Sequence, residues 1–152
     1  MLLATGNIWD MGFDAICVTT NGIVKPNGRL VMGGGIAKEA VERYPDIDDY
    51  YGKLVWLRGN SVWVYRKETD DPAIISFPTK HDWRDPSDLD LIVESTDKLV
   101  ALADRMHLVK VGLPRPGCGL GGLHWRDVAP ILEERLDDRF TVVSFKDEDF
   151  EI

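Results

Sequence analysis

Nowhere in this sequence do about eighteen apolar residues follow one another, and the opening MLLATGNIWD has no basic stretch ahead of an apolar one. The expectation is a soluble, cytoplasmic protein with no membrane span and no leader. Cysteine is scarce. Cys17 and Cys118 stand far apart, and neither has the Cys or His spacing that assembles a zinc site. A disulfide framework and a metal centre are therefore not expected, and a reducing compartment suits the chain. Positive charge is also short: 18 Lys and Arg face 26 Asp and Glu, a net charge of −8. Such a surface repels phosphates as a whole, so a nucleic-acid partner needs a local basic patch. Repeats, linkers and low-complexity segments are missing, apart from the acidic KDEDFEI at residues 146–152.

What is present is a hydrophobic fraction of 44% over 152 residues, enough for one domain spanning 1–152 with a real core. Short apolar runs alternate with helical patterns. Residues 2–4, 14–19, 73–77, 108–113 and 140–145 read as strands, several of them unbroken apolar runs of the kind buried on both faces. Ile36, Ala37, Ala40, Val41 and Tyr44 recur at helical spacing, and Pro45 ends that helix. A second helix is expected behind a capping box at Ser87 and Asp90, with Leu89, Ile92, Val93, Leu99, Val100 and Ala103 along one face. A third covers residues 126–136, with Val128, Ile131 and Leu132 turned inward. Residues 54–57 and 62–65 flank Arg58, Gly59, Asn60 and Ser61, which predicts a hairpin and so a mixed sheet. The fold class expected is α/β, a three-layer α-β-α sandwich around a mixed central sheet. Ligands then sit beyond the carboxyl ends of the strands.

Three stretches carry chemistry. Residues 113–125, LPRPGCGLGGLHW, place Gly117, Gly119, Gly121 and Gly122 between a strand and a helix. GCGLGG fits the G-x-G-x-x-G spacing, but only thirty residues remain after Gly122, too few for a dinucleotide-binding unit to unfold from it. The physics of the loop survives: backbone without Cβ approaches an anion closely, and the helix start behind it adds partial positive charge. Gly33, Gly34 and Gly35 form a second such loop, read as following a strand and leading into a helix, and the pair can clamp a diphosphate or a phosphate with its ribose. Either loop can equally be a tight turn. The third stretch, FPTKHDWRDPSDL at 77–89, sets Lys80, His81, Asp82, Trp83 and Arg84 at another strand exit. Lysine there is a nucleophile toward a sugar aldehyde if its charge is suppressed, or else a solvated surface charge.

TGNIWD, DAICVTTNG, MGGGIAKEA, FPTKHDWR and PRPGCGLGGLHW occur in the order expected of a macrodomain, the ADP-ribose-binding module, which the chain resembles over residues 2–145. Through MGGGIA, FPTKHDWR and GCGLGGLHW it is most similar to the DarG-type antitoxin macrodomains, which remove ADP-ribose from thymidine in DNA. It also resembles the terminal ADP-ribose glycohydrolase, which acts on ADP-ribosylated glutamate through a lysine and an aspartate.

The resemblance implies that Gly6, Asn7 and Ile8 lie at the adenine, with Asn7 where many relatives have Asp. It implies that Asn21 faces the distal ribose, and that Gly33, Gly34, Gly35 and Ile36 enclose the diphosphate and distal ribose together with Gly117, Cys118, Gly119, Leu120, Gly121 and Gly122. Lys80 takes the catalytic position. Three departures limit the transfer: Gly121 stands where the terminal glycohydrolase has its aspartate, the helix after Gly35 reads IAKEA without an acidic residue found in another hydrolase group, and Val18 replaces the first Asn of a frequent NAAN motif. Lysine chemistry is the hydrolytic route left, and His81, Asp82 and His124 are read as structural or solvated.

Three functions stay open: an ADP-ribosyl hydrolase acting on DNA thymidine or a protein carboxylate, an ADP-ribose 1″-phosphate phosphatase, and a non-catalytic ADP-ribose reader. The expected partner is ADP-ribose or an ADP-ribosylated macromolecule, single-stranded DNA among them, bound by a monomer. No cofactor is implied.

Overall fold

The computed structural model describes residues 1–152. Six strands, β1 (Leu2–Thr5), β2 (Ala15–Thr20), β3 (Val64–Tyr65), β4 (Ala73–Pro78), β5 (Val111–Leu113) and β6 (Phe140–Ser144), form one sheet in the order β1-β6-β5-β2-β4-β3. Every pairing is parallel except β3 with β4. Side chains alternate across the pleat. In β2, Ala15 and Cys17 join one hydrophobic cluster, while Ile16 and Val18 join the other. Both faces of the central strands are therefore buried, as their unbroken apolar sequence requires.

Helices α3 (Leu89–Met106) and α4 (Trp125–Arg135) cover the first face through Ile92, Leu99, Val128 and Leu132. Helices α1 (Gly35–Arg43) and α2 (Ile47–Arg58) cover the second through Ala37, Ala40, Ile47, Tyr51 and Val55. The result is the expected three-layer α-β-α sandwich. No helix is long and apolar enough to cross a membrane.

Several local expectations are corrected. Residues 54–57 are not a hairpin arm but the last turns of α2, whose Ile47, Tyr51 and Val55 recur every four residues and lie buried. Asp48 and Asp49 in its first turn and Arg58 in its last complement the helix dipole. The antiparallel pair that makes the sheet mixed is instead Val64 with Ile75 and Tyr65 with Ile74. Gly52 lets α2 press on the 24–30 excursion, since a Cβ there falls 2.0 Å from the Gly28 carbonyl oxygen.

Helix α3 is capped by Asp88 rather than Ser87: its Oδ1 accepts from the backbone N–H groups of Asp90 (2.9 Å) and Leu91 (3.4 Å). Strand β5 begins at Val111 and not at 108, because the N–H groups of Val109 and Lys110 donate to the Asp14 carboxylate (2.9 and 3.1 Å) instead of to a neighbouring strand. The Gly33–Gly35 loop does not directly follow a strand. It comes after an excursion from the end of β2 that is tied by the isolated Val24–Leu30 bridge.

Candidate active site

The carboxyl ends of the parallel strands open into one cleft of about 1010 Å³. Loops following five neighbouring strands supply its walls, and their order along the sheet edge sets the order of the groups: Gly6 and Ile8 after β1, Phe145 after β6, the 117–122 loop after β5, Asn21 and the 33–36 loop after β2, and Lys80 with Trp83 after β4. From β6 to β4 is three strand spacings, about 14 Å. A long ligand fits along it.

The two glycine loops face each other in the middle. Helix α1 starts at Gly35 with no side-chain cap and no acidic residue in its first turn, so its leading N–H groups remain available to an anion. Across the cleft, the tip of Leu120 reaches to 3.0 Å from the place of a Cβ on Gly34, although Leu120 is otherwise one of the most exposed apolar residues. Gly121 permits a second close approach. A Cβ there falls 2.2 Å from Ser87 Oγ and 2.4 Å from the Gly117 carbonyl oxygen. Ser87 also donates its N–H to the Gly121 carbonyl (2.9 Å), which ties the glycine loop to the start of α3.

Lys80 is fixed from several directions. Its carbonyl accepts from Asn60 Nδ2 (3.0 Å), the Gly22 N–H donates to the neighbouring His81 carbonyl (3.1 Å), and the preceding Thr79 N–H donates to Thr20 (3.0 Å). The side chain then spans two loops: Nζ donates to the carbonyls of Trp83 (3.3 Å) and Leu120 (3.4 Å). Such contacts orient the amine toward the cleft between the β4 and β5 exits. His81 is occupied with Asp88 (3.1 Å). Asp82 grips Arg84 through Oδ1 (2.9 Å) and Oδ2 (2.6 Å), and the hydrogen bonds from Arg84 pull its carboxyl down to about 2.

Twelve of the fifteen residues expected around the ligand line this cleft: Gly6, Ile8, Asn21, Gly33, Gly34, Gly35, Ile36, Lys80, Gly117, Gly119, Leu120 and Gly121. Three do not. Asn7 is turned into local structure, its Oδ1 accepting the Trp9 N–H (3.1 Å) as the cap of a short 3-10 turn. Cys118 points its Sγ at the Pro116 carbonyl (3.6 Å), and burial pushes its thiol up to about 11. Gly122 closes the turn with φ +77°, its N–H on the Gly119 carbonyl (3.3 Å). Asn21 does line the cleft, yet both ends of its amide are engaged: Nδ2 donates to the Val31 carbonyl (2.9 Å) and Oδ1 accepts from the Ile23 N–H (3.0 Å).

Among the lining residues that the sequence reading did not assign to the site, one group stands at the β6 end. Ser144, Phe145 and Asp149 all line the cleft. Ser144 Oγ donates to Asp149 Oδ2, Arg115 Nη1 donates to the Asp149 carbonyl (3.0 Å), and Phe150 meets Trp125 edge to face at 5.6 Å. These bonds hold the Asp147–Phe150 turn against the cleft and keep the Asp149 carboxyl below its ordinary value. The phenylalanine inside the acidic KDEDFEI was the signal available.

Comparison with known proteins agrees with this geometry. The Macro domain family model matches residues 26–132. A DNA ADP-ribosyl glycohydrolase of Mycobacterium tuberculosis (strain ATCC 25618 / H37Rv) is 36% identical over 115 residues, covering 72% of this chain and 32% of that protein. One from Thermus aquaticus is 30% identical over 137 residues, covering 87% and 36%. The chain thus spans about a third of the length of the curated relatives it matches. Among solved structures, the macrodomain of Thermus aquaticus DarG superposes with a TM-score of 0.80 at 28% identity, covering 95% of this chain and 97% of that one. With the three-layer fold, the cleft at the strand ends and a family match over most of its length, the chain belongs to the macrodomain family.

Proposed function

We propose that this macrodomain is an ADP-ribosyl glycohydrolase that releases ADP-ribose from DNA, with Lys80 as its nucleophile. The observation that carries the reading is the placement of the Lys80 amine, held between Trp83 and Leu120 at the wall of a cleft long enough for ADP-ribose. The names of the relatives supply the DNA. In this reading the adenine lies by Phe145, the glycine loops and the α1 N-terminus receive the diphosphate, and the distal ribose reaches Lys80.

The chemistry follows from an amine beside C1″. Once Nζ has given a proton to the solvent, its lone pair forms a bond to C1″ as the bond to the leaving group breaks, and the leaving group departs with that electron pair and takes up one of the two protons left on the nitrogen. The nitrogen then gives its remaining N–H proton to the solvent and pushes its electrons toward C1″ as the C1″–O4″ bond opens. O4″ gains a proton, and an imine results. Water adds across the imine, the C–N bond breaks, and ADP-ribose leaves with the lysine restored.

The test presents the protein with ADP-ribosylated thymidine in single-stranded DNA, ADP-ribosylated glutamate in protein and ADP-ribose 1″-phosphate in parallel. Release from DNA is the expected result. Release from glutamate alone moves the substrate to a carboxylate, phosphate release alone makes the protein a phosphatase, and tight ADP-ribose binding without any turnover makes it a reader.

A further inference from the structure

Three exposed apolar side chains line the cleft: Phe145 (78% exposed) after β6, Leu120 in the loop after β5, and Trp83 (50% exposed) after β4. The two aromatics follow strands three spacings apart, about 14 Å, with the glycine loops between. One ring serves the adenine of the proposed ligand. The other stands in the same short loop as Lys80, and its backbone carbonyl accepts a hydrogen bond from Lys80 Nζ at 3.3 Å. Both residues line the same cleft, so a group leaving C1″ at Lys80 has Trp83 among its neighbours.

We infer that Trp83 is a specificity-determining residue, the stacking face that holds a planar leaving group beside Lys80. The inference rests on the glycohydrolase reading and deepens it. Indole stacking on a base is worth a substantial factor in affinity and needs no hydrogen-bond pattern.

The surroundings of Trp83 support this role. Arg84 lies 5.7 Å from the indole centroid, while its Nε and Nη2 are bound to the two carboxylate oxygens of Asp82. The guanidinium is thereby held in one orientation beside the ring, and its charge is balanced within the loop. This loop is poorly equipped to hold a DNA phosphate, and a net charge of −8 adds no attraction for one. Recognition at this end falls to the ring.

The test separates binding from turnover. In Lys80→Ala protein, which keeps the substrate intact, affinities for free ADP-ribose and for ADP-ribosylated thymidine nucleoside are measured with and without Trp83→Ala. Trp83→Ala is expected to weaken the thymidine conjugate about 5- to 100-fold and free ADP-ribose less than about twofold, with Trp83→Phe restoring the conjugate to within about threefold. The conjugate's advantage over ADP-ribose should change little with salt, since the ring and not a cation supplies it. Equal loss for both ligands makes Trp83 part of the ADP-ribose site itself and overturns the inference. No loss for either overturns it too. Wild-type protein that binds the thymidine conjugate but never cleaves it defeats the glycohydrolase reading separately, while Trp83 still stands or falls on the affinities.

Discussion

Ser87 Oγ occupies the space that a side chain on Gly121 needs: a Cβ built there lies 2.2 Å away, and the Gly117 carbonyl oxygen is 2.4 Å from the same point. Ser87 itself is buried, and its hydroxyl has no hydrogen-bond partner. The missing side chain at 121 is thus a requirement of packing as well as an absence of chemistry. An aspartate cannot be installed there without moving the loop.

Gly121→Ala should therefore destabilise the fold by about 2 kcal/mol or more through overpacking. Ser87→Ala should change stability little, because the hydroxyl it removes is unpaired. The double variant should recover only part of the loss, since the Gly117 carbonyl stays in place. Denaturant unfolding of the three variants checks this, and an unaffected Gly121→Ala contradicts it.

Gly119 and Gly34 behave differently. A Cβ on Gly119 meets nothing within 4 Å, and one on Gly34 meets only the flexible tip of Leu120. Gly119→Val and Gly34→Val should each leave the thermal midpoint within a few degrees of wild type while lowering ADP-ribose affinity at least about tenfold, because the branched side chain stands where the anion approaches the backbone. Calorimetry is the measurement. Normal binding by either variant makes that loop a turn and nothing more.

Much of this arrangement was legible in the sequence, and the failures have local causes. The unbroken apolar runs of β2 and β4 mark strands buried on both faces, and the 117–122 loop and Lys80 are legible at strand exits, whereas the Gly33–Gly35 loop reaches the cleft only after the 24–30 excursion. Helix α2 is masked in the sequence because Gly59 and Asn60 offer turn chemistry that suits a hairpin, although Ile47, Tyr51 and Val55 recur every four residues. The β6 end was hidden by composition. KDEDFEI reads as a solvated acidic run, and only tertiary contact with Ser144, Arg115 and Trp125 brings Asp149 to the cleft. Asn7, Cys118 and Gly122 sit inside matching motifs, yet backbone capping, burial and turn closure direct them elsewhere.

Cys118 tests one of these distinctions. With its thiol pushed up to about 11 by burial, it stays protonated at neutral pH and is a poor nucleophile. Iodoacetamide should label it at least about tenfold more slowly at pH 7 than a free thiol, and Cys118→Ser should keep ADP-ribose release within about threefold. Loss of activity in that variant returns Cys118 to the site.

Acid should weaken the fold in a defined window. The Ser144 hydroxyl holds the Asp149 carboxyl below its ordinary value, and Arg84 holds that of Asp82 at about 2. Folded values below the unfolded one, about 3.9, contribute stability that is present above that pH and is lost as pH falls toward about 2. The thermal midpoint should stay level between about pH 7 and 5 and drop below about pH 4, less steeply in Asp149→Asn. A midpoint that holds to pH 3 contradicts the sign.

The most direct measurement compares turnover and binding in Lys80→Ala. Release of ADP-ribose from ADP-ribosylated thymidine in single-stranded DNA should fall by at least ~10³-fold, while free ADP-ribose binds within about tenfold, about 1.4 kcal/mol, of wild type, because backbone loops and not the amine supply the affinity. Borohydride added to wild type during turnover should trap an adduct at Lys80, seen as a mass shift absent from the variant. Undiminished release by Lys80→Ala, or an adduct on a different lysine, contradicts the account.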